Sequence, residues 1–181
     1  MIRALVALAL LALAAACQRQ EAATTCDVQV EHPLFFSHPE AADIVTARMI
    51  GPSCDRAVAL LSISTEDGHP IWSWTAPASR AFGDAFHGAD AEEMHGFLER
   101  WAAPAVVTTA GAPAWPLPDT ARTTLDQITY DDIRARSLPM LCHLSGVAIE
   151  TCVFWEPAAG GAGLFFERDV TQTQRSPHDT D

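Results

Sequence analysis

The chain reads as an α+β protein: an antiparallel β-sheet built from hairpins, with one main α-helix packed on a face. Three observations predict this class. Residues 57–64 and 69–75 form one pair of short apolar runs around turn residues, and residues 138–144 and 147–155 form a second. Between the pairs, residues 90–102 carry apolar side chains at helical spacing. Strands, then one long helix, then strands again favour a sheet with a helix on one face over an alternating parallel arrangement.

The first element, residues 43–51 (DIVTARMIG), admits two readings. Ser37 and Glu40 have the spacing of a helix-opening capping box, whereas Val45, Ala47 and Met49 alternate with Thr46 and Arg48 and favour a strand. The first hairpin follows, turning at Thr65-Glu66-Asp67-Gly68, where Asp-Gly supplies the turn chemistry. Trp72 and Trp74 stand two apart on its second strand and so share a face. That pair suits a stacking platform for sugar rings or an interface hot spot. Ser73 and Thr75 on the opposite face favour the plainer alternative, core beneath the helix.

Asp90 caps the helix, Glu93 completes a capping box, and Met94, Phe97, Leu98 and Trp101 make its apolar face before Pro104 ends it. Residues 105–122, rich in Pro and Thr, read as a long ordered loop. Its Trp115, in PAWPLP, is either pinned on the core or displayed to a partner. Residues 130–136 suit a short helix opened by Thr129, with Asp132 three places on. The second hairpin turns at Ser145-Gly146, and a last strand holds Phe165 and Phe166 after AAGGAG at 158–163. Residues 169–181 lack apolar periodicity and read as a disordered tail.

The N-terminus sets the expected compartment. Arg3 precedes the uncharged apolar run 4–16, shorter than the about 20 residues a membrane-spanning helix needs, so the run fits a cleaved secretory signal. Leu13-Ala14-Ala15-Ala16-Cys17 resembles the lipobox of bacterial lipoproteins, although Ala14 stands where leucine is commoner. The resemblance implies a signal peptide at 1–16, diacylglyceryl on the Cys17 sulfur and cleavage before it. It also implies, from Gln18 rather than Asp after the cysteine, the periplasmic face of the outer membrane. Residues 17–25 then form a lipidated tether, and residues 26–168 a single domain.

Charge and composition narrow the partners. The formal net charge is −12, which repels nucleic acid and anionic headgroups. An envelope protein or cell-wall glycan is the expected partner, with membrane contact by the lipid anchor only and no cofactor. The chain has no Lys and no Asn, which rules out a Schiff-base lysine, a phosphate-loop lysine and a Cys-His-Asn triad.

Four cysteines follow the anchor: Cys26, Cys54, Cys142 and Cys152. An even number in an oxidising compartment predicts two disulfides. Of the three connectivities, Cys26–Cys54 with Cys142–Cys152 is favoured, because the second pair lies on neighbouring runs of one hairpin. Zinc would demand closer spacing.

Candidate chemistry is sparse. His87 and His95 lie near Asp84, Asp90 and Glu92, the weak makings of a metal site, and Ser145 follows His143 without a nucleophile elbow around it. The expected role is a non-enzymatic binding or envelope-assembly module. The alternative is an envelope hydrolase using carboxylates or a His-based metal site between Asp84 and His95.

Overall fold

The computed structural model describes residues 26–171; the signal peptide, Cys17, the tether and residues 172–181 lie outside the described residues. Nine strands make two antiparallel sheets. The first is a meander of β1 (Cys26–Leu34), β2 (Asp43–Gly51), β3 (Val58–Ser64) and β4 (Pro70–Pro77). The second runs in the order β5 (Val106–Thr108), β7 (Pro139–Gly146), β8 (Ile149–Glu156), β9 (Gly161–Asp169) and β6 (Ala121–Arg122). Three helices, α1 (Ala78–Phe82), α2 (Ala91–Trp101) and α3 (Gln127–Ala135), complete the described residues, with 3-10 turns at Cys54–Arg56 and Thr109–Gly111.

The class is therefore α+β, with α2 as the main helix on a sheet face, but the strands divide between two sheets. The apolar inner face of the first sheet explains the division. Helix α2 packs chiefly on β1 and β2, and the remaining face meets Leu141 and Val153 of the second sheet in one buried cluster. Neither helix nor sheet alone is wide enough to bury Val45, Met49, Leu61 and Ile63, all of them fully buried. The second sheet has its own core on its far face, where Tyr130 and Ile133 of α3 pack on Met140, Phe154, Phe165 and Phe166.

Local chemistry accounts for the elements. In β2, Val45, Ala47 and Met49 are buried in alternation, so this segment is a strand. Ser37 opens no helix, because its backbone N–H and hydroxyl each donate to the Asp43 carboxylate at 2.7 Å. The first hairpin closes where Gly68 N–H donates to Thr65 O at 2.9 Å. In α2 the capping box is complete: Asp90 accepts from the Glu92 and Glu93 N–H groups, and Glu93 accepts from Asp90 N–H.

Four expectations need correction. Helix α3 starts a turn earlier than expected, because Asp126 is its cap and accepts from both the N–H and the hydroxyl of Thr129. The second hairpin turns at Val147 and Ala148, with Ala148 at φ 58°, whereas Gly146 pairs with Ile149 in the ladder. A side chain at Gly146 would place its Cβ 3.2 Å from that of Ile149, so close packing explains this glycine and turn geometry does not. Residues 105–122 are more than a loop: they hold β5 and β6. Thr109, fully buried, pins the stretch between them by donating to Ile133 O and accepting from Leu138 N–H. Finally, order runs past residue 168: β9 reaches Asp169, and Val170 N–H donates to Ala148 O.

Both disulfides form with the expected pairing. Cys26–Cys54 ties the first residue of β1 to the turn before β3, and Cys142–Cys152 joins directly opposed residues of β7 and β8.

Candidate functional site

Two features dominate the region where the sheets meet: an aromatic seam between them and a cleft at the free edge of β7. In the seam, Trp72 and Trp74 of β4 pair with Ile63 and Leu61, so both face inward and are half-buried, while Ser73 and Thr75 face solvent. Trp74 meets Trp101 of α2 edge to face, with centroids 5.7 Å apart, and lies 5.8 Å from the His143 ring. Trp72 donates its indole N–H to His143 Nε2 at 3.3 Å.

That contact assigns the tautomer of His143. An indole N–H only donates, so Nε2 must accept and carries no proton. The proton then sits on Nδ1 and is donated to Leu144 O, 3.1 Å away. Burial pushes the imidazole below its ordinary pKa, against smaller opposing pulls from the Leu144 carbonyl and the Glu150 charge. His143 is a neutral strut between sheets, with both ring nitrogens committed.

The cleft has a volume of about 440 Å³, inside the range of small-molecule sites. It exists because β5 pairs with β7 only as far as Leu141, leaving the β7 edge from Cys142 onward without a strand neighbour. The last turn of α2 closes one side with Phe97, Arg100 and Trp101, and the chain returns through Pro104 and Ala105. The Phe97 and Trp101 rings are stacked, 5.8 Å apart at 28°. On the opposite wall Glu150 and Arg168, ladder partners on β8 and β9, form an ion pair at 2.6 Å. Arg100 forms no ion pair or hydrogen bond among the described residues. Its guanidinium folds back along the helix, with Nη1 3.8 Å from where a Cβ on Gly96 would stand.

The other candidates disperse. Trp115 is 36% exposed and packs beside Tyr130, in the core on the far side of the second sheet, so it shares no surface with Trp72 and Trp74. His87 sits in the turn before α2, its N–H bonded to Asp84 O. His95, exposed on α2, lies 3.7 Å from Glu99, whose other oxygen is 2.7 Å from His32 Nε2 on β1. Thus Glu99 is shared between two imidazoles, and His87 does not join them. Among the described residues no group of three or more His, Cys, Asp and Glu is placed to hold a metal ion. Ser145 Oγ accepts from the Thr151 hydroxyl at 2.6 Å, whereas His143 is bonded to Trp72 and Leu144. Of the 158–163 run only the first half lies in the β8–β9 connection, where Ala159 and Gly160 N–H groups donate to Glu156 O; residues 161–163 already pair with β8 as the start of β9.

Phe97 and Trp101 were visible in sequence as part of an apolar helix face. Arg100, Glu150, Arg168 and the His32–Glu99 contact were not, since each gains its meaning from a distant partner. Comparison with protein-family models, with characterised proteins and with solved structures finds no match. No helix among the described residues is long and apolar enough to cross a membrane.

Proposed function

We propose that the chain is a lipid-anchored binding module of the cell envelope, held through Cys17 on the periplasmic face of the outer membrane. Its binding seat is the cleft between the end of α2 and the β7 edge. The observation that carries this reading is the cleft itself, which joins stacked aromatic rings to an arginine without a carboxylate partner. The lipobox resemblance and the two disulfides of the domain behind it support the compartment. An envelope protein or cell-wall glycan is the partner this location favours, and the acidic surface weighs against nucleic acid.

The test has two arms. The Cys17→Ala chain should leave the membrane fraction or accumulate as uncleaved precursor, and a variant that is cleaved normally and still fractionates with membranes would refute the anchor. For the seat, the tagged chain is crosslinked in its own envelope beside an Ala105→Trp variant that fills the cleft from an exposed position. A partner recovered with the wild type and lost with the variant supports the assignment. Equal recovery from both, at equal melting temperature, moves the seat elsewhere.

A further inference from the structure

We infer that the cleft takes an apolar or aryl group bearing a single carboxylate, with Arg100 receiving the carboxylate and the half-buried Phe97 ring, backed by the buried Trp101, receiving the body. The inference rests on the cleft being the binding seat and names the ligand chemistry that seat selects.

The cleft lining holds one cation that no acid among the described residues neutralises. The formal net charge is −12, yet Arg100 has no carboxylate partner among the described residues. Arg48, Arg122, Arg136 and Arg168 are paired with acids, Asp27, Glu167, Glu156 and Glu150, whereas Arg56, Arg80 and Arg134 form no ion pair among the described residues either; what sets Arg100 apart is its place in the cleft lining. Within the cleft Glu150 neutralises Arg168, so Arg100 supplies the net charge of the lining. The last turn of α2 accommodates that cation through the helix dipole, which explains why it is tolerated without a partner. The guanidinium still offers a fork of donors that matches a carboxylate.

The rest of the lining selects the body and limits the charge. Leu144, Val107 and Pro104 add apolar surface to the Phe97 ring, and Val107 is 48% exposed. His143 behind them is neutral and has no free ring nitrogen. One net positive charge within a strongly acidic chain suits a monoanion, while a polyanion would meet the repulsion of the whole surface. The carboxylate can be that of a free small acid or the C-terminal end of a peptide.

Calorimetry on the full chain in non-ionic detergent tests this with 3-phenylpropionate, its uncharged amide and the peptide acetyl-Ala-Ala-Phe. The expected result is saturable one-to-one binding of a carboxylate probe, weakened roughly tenfold or more in the amide and in Arg100→Gln. Arg80→Gln, on α1 and outside the cleft lining, should bind as the wild type does. The tighter of the two carboxylate probes identifies the source, free acid or chain end. Equal binding of acid and amide, wild-type affinity in Arg100→Gln, or no binding of any probe by a chain with intact melting would each overturn the inference. Failure of the ligand class is separable from failure of the seat. If Ala105→Trp loses its envelope partner while no probe binds, the binding module stands and the carboxylate falls. If a carboxylate binds while partner capture ignores Ala105→Trp, the ligand class stands and the seat assignment falls.

Discussion

Trp72 and His143 join the two sheets through one hydrogen bond, the indole N–H of β4 donating 3.3 Å to the imidazole Nε2 of β7. The bond holds only while Nε2 is unprotonated, because two donors cannot face each other. The neutral state of a 2% exposed side chain is thus built into the packing of one sheet on the other.

A pH dependence follows, and its sign is fixed by the direction of the shift. The folded pKa lies below the ordinary 6.5, so below that pH the unfolded chain takes up a proton that the folded chain resists. Stability from this group is present above 6.5 and is lost as pH falls toward the folded pKa. Thermal melts between pH 7.5 and 5 should show the wild type losing stability faster than His143→Gln, whose amide can accept from Trp72 and donate to Leu144 O. Parallel pH profiles for the two proteins would contradict this account.

Gly163 stands opposite Phe154, and a Cβ there would lie 2.8 Å from the Phe154 ring, which is 7% exposed. The ring has no room to retreat in a packed core, so Gly163→Ala should cost about 1–3 kcal/mol in denaturant unfolding. Combining it with Phe154→Leu should recover part of that loss, since the obstruction is the ring.

Thr109 offers a second test of the far core. Its hydroxyl satisfies Ile133 O at 2.8 Å and Leu138 N–H at 2.9 Å in a buried setting. Thr109→Val keeps the shape but leaves both backbone groups unpaired, and should destabilise the protein by about 2 kcal/mol or more. Thr109→Ser keeps the hydroxyl and should cost much less; equal losses would mean that the methyl group, not the hydroxyl, matters.

The disulfides should differ in weight. Cys26–Cys54 closes a sequence separation of 28 and Cys142–Cys152 one of 10. By loop-closure entropy the first contributes roughly 3–4 kcal/mol and the second roughly 2–3 kcal/mol. Urea melts of the paired Cys→Ser variants check the order, and a larger loss for the β7–β8 pair would show that native packing outweighs loop length.

What could be read in the sequence was what is local. The Asp90 capping box, the alternation of β2, the first hairpin and the disulfide pairing all depend on neighbours within one element or one hairpin. Strand β1 went unread because Glu31, His32 and Pro33 break its apolar pattern, and only Cys26, Val30 and Leu34 are buried. Strands β5 and β6 are too short to show a period, and the Trp72–His143 bond spans 71 positions. The cleft was illegible for the same reason, since its arginines and aromatic rings meet only when α2, β8 and β9 converge.

The Cys26–Cys54 bond also has a mechanical meaning. Cys26 is both the first residue of β1 and the point where the preceding chain enters the fold, and it is covalently joined to the turn ahead of β3. A pull on the preceding chain is therefore passed also to the turn between the two inner strands, β2 and β3. The edge strand cannot be unzipped from that end one hydrogen bond at a time, and tension must instead shear several strands together.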